Sequence, residues 1–156
     1  MPAALLSVPH FKQEWPYSCV AACVRMVLAH YGQLRTEEEV RQLLGTGPHG
    51  TRARAILQVA PLGFPVQLGR SNLAELATAL RGGVPPIVFV ETTLLDYWKQ
   101  RCDHVAVVVG LEGANVSLND PYFDIAPQQT SLDAFRQAWA SNDCWAAFIR
   151  PQPAAS

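Results

Sequence analysis

The sequence predicts an α+β fold, with helices gathered in the first half of the chain and strands in the second. Two observations carry this. Up to Arg81, apolar residues recur at helical spacing between recognisable caps and glycine stops. From Pro86 onward, the runs PIVFVE, HVAVVVGL, ANVSLND and CWAAFIR are rich in β-branched and aromatic residues and are of strand length. Segregation of the two kinds of element argues against an alternating α/β chain. The expected arrangement is a helical half packed on an antiparallel sheet.

The elements read in order as follows. Residues 1–17 are irregular or extended, with Pro9 and Pro16 as breakers. CVAACVRMVLAHY, from Cys19 to Tyr31, is apolar nearly all round and is followed by Gly32, which predicts a buried helix. Thr36 and Glu39 form a capping box for a short helix ending at Gly45. GTGPHG is a loop. Thr51 is expected to cap a third helix reaching about Val59, stopped by Pro61 and Gly63. FPVQL is a candidate strand, and Ser71 a candidate cap for the helix NLAELATALR, closed by Gly82 and Gly83.

HVAVVVGL and ANVSLND are expected to pair as a hairpin around Glu112 and Gly113. The first is almost continuously apolar, which places it centrally in the sheet. Ser131 is expected to cap the late helix LDAFRQAWA.

Composition bounds the function. The 156 residues fit one domain, 1–156, and 49% hydrophobic with 16% charged residues excludes a disordered chain or a polyelectrolyte. A net charge of −1 and the lack of a Lys/Arg-rich run give no case for nucleic acid or an anionic membrane. No apolar run has the length of a membrane span. MPAALLSVPHFKQ carries no basic segment ahead of its apolar residues and does not read as a secretory signal, so a soluble, cytoplasmic protein is expected.

The four cysteines, Cys19, Cys23, Cys102 and Cys144, are therefore expected as reduced thiols. Without a CxxC pair or an HExxH motif, no metal and no cofactor is expected, although Cys19 and Cys23 stand one helical turn apart.

Four positions combine into chemistry. Cys19 lies at the start of the first helix, where unpaired N–H groups and the positive end of the dipole favour a thiolate, the nucleophilic form. Cysteine is also a common core residue, and Cys23, one turn deeper, reads as core. His104 stands at the entrance of a buried strand. Asp120 follows the next strand, so a hairpin would set the two side by side at one end. A carboxylate there holds an imidazole in one tautomer. Asn-Asp-Pro is equally a turn signal, and it is the cross-hairpin relation that separates the two meanings. Gln13, upstream of the helix, can aim an amide N–H at a developing oxyanion, with the Cys19 backbone N–H as a second donor. His10 has no evident partner, His30 ends the first helix, where a cation suits the dipole, and His49 sits in a Gly/Pro loop; Cys102 and Cys144 read as structural or incidental.

VPHFKQEWPYSCVAACVRMVLAHYG resembles the opening of the C39 peptidases and their C39-like relatives, which are papain-like cysteine peptidases of the bacteriocin-leader-peptidase type. DHVAVVVGLEGANVSLNDP resembles their His-strand-turn-strand-Asp-Pro segment. GTRARAILQVAPLGFPVQL is similar to their helix and Gly-aromatic step, and SLDAFRQAWA to their closing helix. The likeness covers roughly residues 8–150. It implies Cys19 as nucleophile, His104 as base, Asp120 as orienting acid and Gln13 as oxyanion donor.

The best-known members cut leader peptides after a double glycine and are fused to a peptide-exporting transporter. The resemblance thus implies a peptide or protein substrate, cut after small residues, and a possible separate transporter or partner protein. Val20 stands where the family often has Gly, and Ser18 where it usually has Asp. Two other readings compete: an inactive C39-like domain that grips a peptide or partner, and another papain-like thiol hydrolase, such as an amidase or a ubiquitin-like-processing enzyme.

Overall fold

A computed structural model describes residues 5–154; the first four residues and the last two of the PQPAAS tail lie outside it. Four α-helices, two 3-10 helices and six strands follow one another in it. The helices are α1 (Cys19–His30), α2 (Glu37–Leu44), α3 (Leu73–Arg81) and α4 (Leu132–Ala140). The strands are β1 (Val66–Arg70), β2 (Ile87–Glu91), β3 (Asp103–Glu112), β4 (Asn115–Asn119), β5 (Gln128–Ser131) and β6 (Trp145–Ile149). The 3-10 helices are Ala53–Leu62 and Thr92–Leu94.

The strands form one antiparallel sheet in the order β1-β6-β2-β3-β4-β5, so the fold is α+β as predicted. β3 sits between β2 and β4 and is covered on both faces. Val105, Val107 and Val109 join the cluster built by α1, including Val24, Met26 and Val27. Ala106 and Val108 join the opposite cluster, with Phe135 and Trp139 of α4 and Leu76 and Leu80 of α3. This explains the unbroken apolar run: alternate side chains feed two cores. Helix α3, although it comes from the first half of the chain, packs on the face away from α1.

The predicted hairpin is present, with Leu111 opposite Val116 and Glu112 opposite Asn115. Gly113 turns it at φ +59°. The register shifts between Val108 and Gly110. There the N-terminal segment crosses the sheet, with Leu6 N–H donating to the Val109 carbonyl at 2.8 Å. A Cβ at Gly110 would lie 2.9 Å from Leu5 Cδ1, so a larger residue there would displace that exposed side chain.

Several boundaries differ from expectation. Thr51 does not cap a helix. Its Oγ1 is hydrogen-bonded to Thr46 Oγ1 at 2.6 Å, and the segment that follows is a 3-10 helix with Arg52 at its N-cap. Its buried residues, Ile56 and Val59, are three apart, which matches three residues per turn. The next helix is capped by Asn72 rather than Ser71: Asn72 Oδ1 accepts from Glu75 N–H at 2.9 Å, and Nδ2 donates to Glu75 Oε1 at 2.9 Å. β5 is absent from the sequence reading because Gln128–Ser131 is an edge strand, polar throughout with Thr130 alone buried, without the apolar alternation that marks a strand.

Candidate active site

Helix α1 begins at Cys19, and Ser18, its N-cap, makes no side-chain capping bond. The Ser18 hydroxyl is engaged elsewhere, accepting from Trp15 N–H at 3.0 Å. The first amides of α1 thus lack a side-chain partner, and this places unpaired donors and the positive end of the dipole beside Cys19. The rest of the helix is anchored by core residues from Val20 to Ala29.

His104 is held by β3 opposite Val90 of β2. Asp120 follows β4 directly and is completely buried. Pairing of β3 with β4 brings them together: His104 Nε2–H donates to Asp120 Oδ1 at 2.6 Å. His104 and Cys19 both line one cleft, and the Cys19 thiol helps to raise the pKa of the ring.

Asp120 receives three further donors. Tyr122 N–H reaches Oδ1 at 3.0 Å, while Tyr97 O–H and Trp98 Nε1–H both reach Oδ2 at 2.8 Å. Trp98 also meets the His104 ring edge-on, with centroids 5.1 Å apart. Tyr97 and Trp98 carry no periodic signal in LLDYWKQRC, and sequence reasoning missed both.

These contacts set the protonation states. Burial pushes the Asp120 carboxyl up, but the hydrogen bond and charge of His104, with the indole and Tyr122 donors, hold it below the usual carboxylate range. Burial pulls the His104 ring down, but its hydrogen bonds with Asp120 and Cys19 overcome that and push it up to about 9. The pair therefore favours an imidazolium against a carboxylate. Cys23 is fully buried one turn below Cys19, and burial above all drives its thiol well up. Cys102 is exposed, and Cys144 is half-buried.

A cleft of about 570 Å³ opens over the pair. Pro16, Tyr17, Cys19 and Val20 line one side; Phe89, Asp103, His104 and Val105 line another; Pro48, His49, Gly50 and Thr51 contribute a loop. His49, read as unremarkable in the sequence, stands exposed on this rim. Gln13 does not line the cleft. Its backbone N–H donates to the Pro121 carbonyl at 2.7 Å, next to Asp120, and its side-chain Nε2–H donates to the Trp15 carbonyl at 2.8 Å. Its Oε1 is buried and has no partner among the described residues. Trp15 stacks on Tyr17, and Tyr17 rather than Trp15 faces the cleft.

Among the described residues, no helix is long and apolar enough to cross a membrane, and no group of three His, Cys, Asp or Glu side chains is placed to hold a metal ion.

Comparison with known proteins gives the family and the fold. The chain is 31% identical over 124 residues to the lactococcin-A transport/processing ATP-binding protein LcnC of Lactococcus lactis; the match takes in 78% of this chain and 16% of that protein. The chain thus spans about a sixth of the length of this relative. Among solved structures, the peptidase domain of Streptococcus ComA, a bifunctional ABC transporter of a quorum-sensing pathway, superposes with a TM-score of 0.74 at 24% identity, over 92% of this chain and 98% of that one. A double glycine motif protease from an AMS/PCAT transporter, solved with its leader peptide, gives 0.74 at 23% identity, over 96% and 97%. A C39-like peptidase from Bacillus anthracis gives 0.79 at 14% identity, over 98% and 100%. These structures share the fold. The model of the peptidase C39 family matches residues 7–148, and the chain, with its cysteine-headed helix and its His-Asp hairpin, belongs to that family of cysteine peptidases.

Proposed function

We propose that this chain is itself an active peptidase of one domain, residues 1–156 with a core at 8–150, and that Cys19, His104 and Asp120 carry its chemistry. The observation behind this is the 2.6 Å bond of His104 to Asp120 in a cleft that Cys19, at the head of α1, also lines. The Cys19 thiolate attacks the carbonyl carbon of the scissile bond. The oxyanion is met by the Cys19 backbone N–H and by the Gln13 amide, which must first swing from the Trp15 carbonyl into the cleft. The C–N bond breaks as the His104 imidazolium gives its proton to the leaving amine, which leaves a thioester on Cys19. Water then attacks the thioester, His104 takes a proton from it, and the carboxylic acid product departs with Cys19 restored. Asp120 keeps the ring in one orientation throughout.

The substrate is a peptide or protein cut after small residues of the Gly-Gly or Ala type. The relatives belong to transport and processing systems, so a peptide transporter is the partner that fits, and the cytoplasm is the compartment. The test is turnover on a panel of peptide, isopeptide and simple amide substrates. Peptides with Gly-Gly before the cut should be hydrolysed best; Cys19→Ala should abolish turnover and His104→Ala nearly so. Gln13→Ala should lower kcat by about 10²–10³; an unchanged kcat removes Gln13 from the site. Preference for isopeptides or simple amides would assign the same residues to another thiol hydrolase.

A further inference from the structure

The five residues from Glu14 to Ser18 separate a candidate oxyanion donor, Gln13, from the candidate nucleophile, Cys19. Their two ends are fixed, one by Gln13 N–H on the Pro121 carbonyl and the other by α1. Glu37, the first residue of α2, is completely buried and bonds to Glu14 and Ser18, at the two ends of this segment.

Burying a carboxylate is costly unless it is paired and hydrogen-bonded. Glu37 Oε2 accepts from Arg41 Nε–H at 3.1 Å, one turn along the same helix. Its Oε1 faces the loop, accepting from Glu14 N–H at 3.0 Å and lying 3.1 Å from Ser18 Oγ. Arg41 Nη2 also reaches Glu14 Oε1 at 3.4 Å, so α2 ties the loop twice. The helix itself does not need Glu37 as a cap. Thr36 and Glu39 complete the capping box at 3.0 and 3.1 Å. The tie also draws the Ser18 hydroxyl into the loop, and this leaves the amides at the start of α1 without a side-chain cap.

We propose that Glu37 is a positioning residue: its buried carboxylate fixes the Glu14–Ser18 loop so that Gln13 and Cys19 keep their relative places. The catalytic part of this rests on the peptidase reading above. Catalysis by donors aimed at a developing charge is sensitive to small displacements, so a loosened loop lowers kcat more than it weakens substrate binding.

The test compares the full chain with Glu37→Ala and Glu37→Gln by amide hydrogen exchange and by kinetics on a fluorogenic peptide ending in Gly-Gly before an aminocoumarin. In Glu37→Ala, amides 14–19 should exchange about 10-fold faster while those of α2 stay near wild type. Its kcat should fall about 10- to 100-fold with KM little changed. Glu37→Gln keeps an acceptor oxygen for the loop and should recover most of both. Unchanged exchange at 14–19 in Glu37→Ala, or Glu37→Gln no better than Glu37→Ala, overturns the proposal. Should Glu37→Ala not fold, Ser18→Ala decides, because it removes the hydroxyl from the same oxygen. Faster loop exchange with a lower kcat then supports the proposal, and wild-type behaviour in both overturns it. The exchange readout does not need turnover, so a wild type that cuts no peptide counts against the peptidase reading while the hold of Glu37 on the loop is still decided.

Discussion

Trp98 donates its indole N–H to Asp120 Oδ2 at 2.8 Å and sets its ring edge-on to His104, the residue that Asp120 holds from its other oxygen. One side chain thus braces both members of the buried pair. Trp98→Phe keeps an aromatic edge and removes one of four donors. A hydrogen bond to a charged group contributes about 1.5–3 kcal/mol, and urea unfolding should show a loss of that order. The Asp120 carboxyl should rise toward the usual range, because one of the donors holding it down is gone. Turnover should fall by about 10-fold. Unchanged stability and turnover would mean that Tyr97 and Tyr122 suffice.

The pH dependence has a definite sign. His104 titrates at about 9 in the folded protein, against about 6.5 for a free imidazole. Its contribution to stability is complete below about pH 6.5 and is lost as pH rises through about 9. Asp120 works in the other direction. Its folded pKa lies below the usual value, so its contribution is present above that value and lost as pH falls through the folded one. Urea unfolding across pH 5–10 should therefore show a decline toward alkaline pH that His104→Ala removes. The alkaline limb of kcat/KM should fall in the same region, where the proton for the leaving amine is lost. A profile flat through pH 9 would contradict the charged pair.

Thiol reactivity separates chemistry from exposure. Cys102 is the exposed cysteine, Cys19 is half-buried, and Cys23 is enclosed. Burial raises the Cys102 thiol and, far more, that of Cys23. If access alone set the rate, Cys102 would label first. Cys19 beside His104 should instead be the fastest to alkylate at neutral pH, as peptide mapping after limiting iodoacetamide would reveal. Labelling of Cys102 ahead of Cys19 would remove the case for an activated nucleophile.

The sequence was informative wherever one local pattern fixes a side chain. An apolar helix with a glycine stop located Cys19 at its head, and hairpin pairing put His104 and Asp120 at one end. It was silent on Tyr97 and Trp98, whose segment is irregular and shaped by tertiary bonds. Thr92 Oγ1, for example, donates to the Gln100 carbonyl at 2.6 Å and accepts from Cys102 N–H at 2.8 Å. Glu37 shows the same limit from another side. Within Thr36–Glu39 it reads as one more acid in a first turn, and nothing local reveals that it alone is buried against the Cys19 loop. Gln13 was placed near the right elements, yet its side chain turns to Trp15 rather than into the cleft.

Specificity should follow from Val20. It adjoins Cys19, is 4% exposed, and lines the cleft with Phe89 and Val105. A narrow cleft rejects a large side chain by clash far more strongly than it rewards a small one by attraction. Bulk beside the nucleophile should therefore restrict the residue before the cut to Gly or Ala. Val20→Ala shortens that wall while preserving helix propensity. It should broaden acceptance to larger apolar residues, with turnover after Gly kept within about threefold. Because Val20 also belongs to the α1 core, the variant should lose about 2 kcal/mol of stability, so profiling belongs well below its Tm. Cleavage of a diverse peptide mixture by wild type and variant would decide. A wild-type preference for large or charged residues before the scissile bond would sink the steric argument and leave Cys19, His104 and Asp120 untouched by the result.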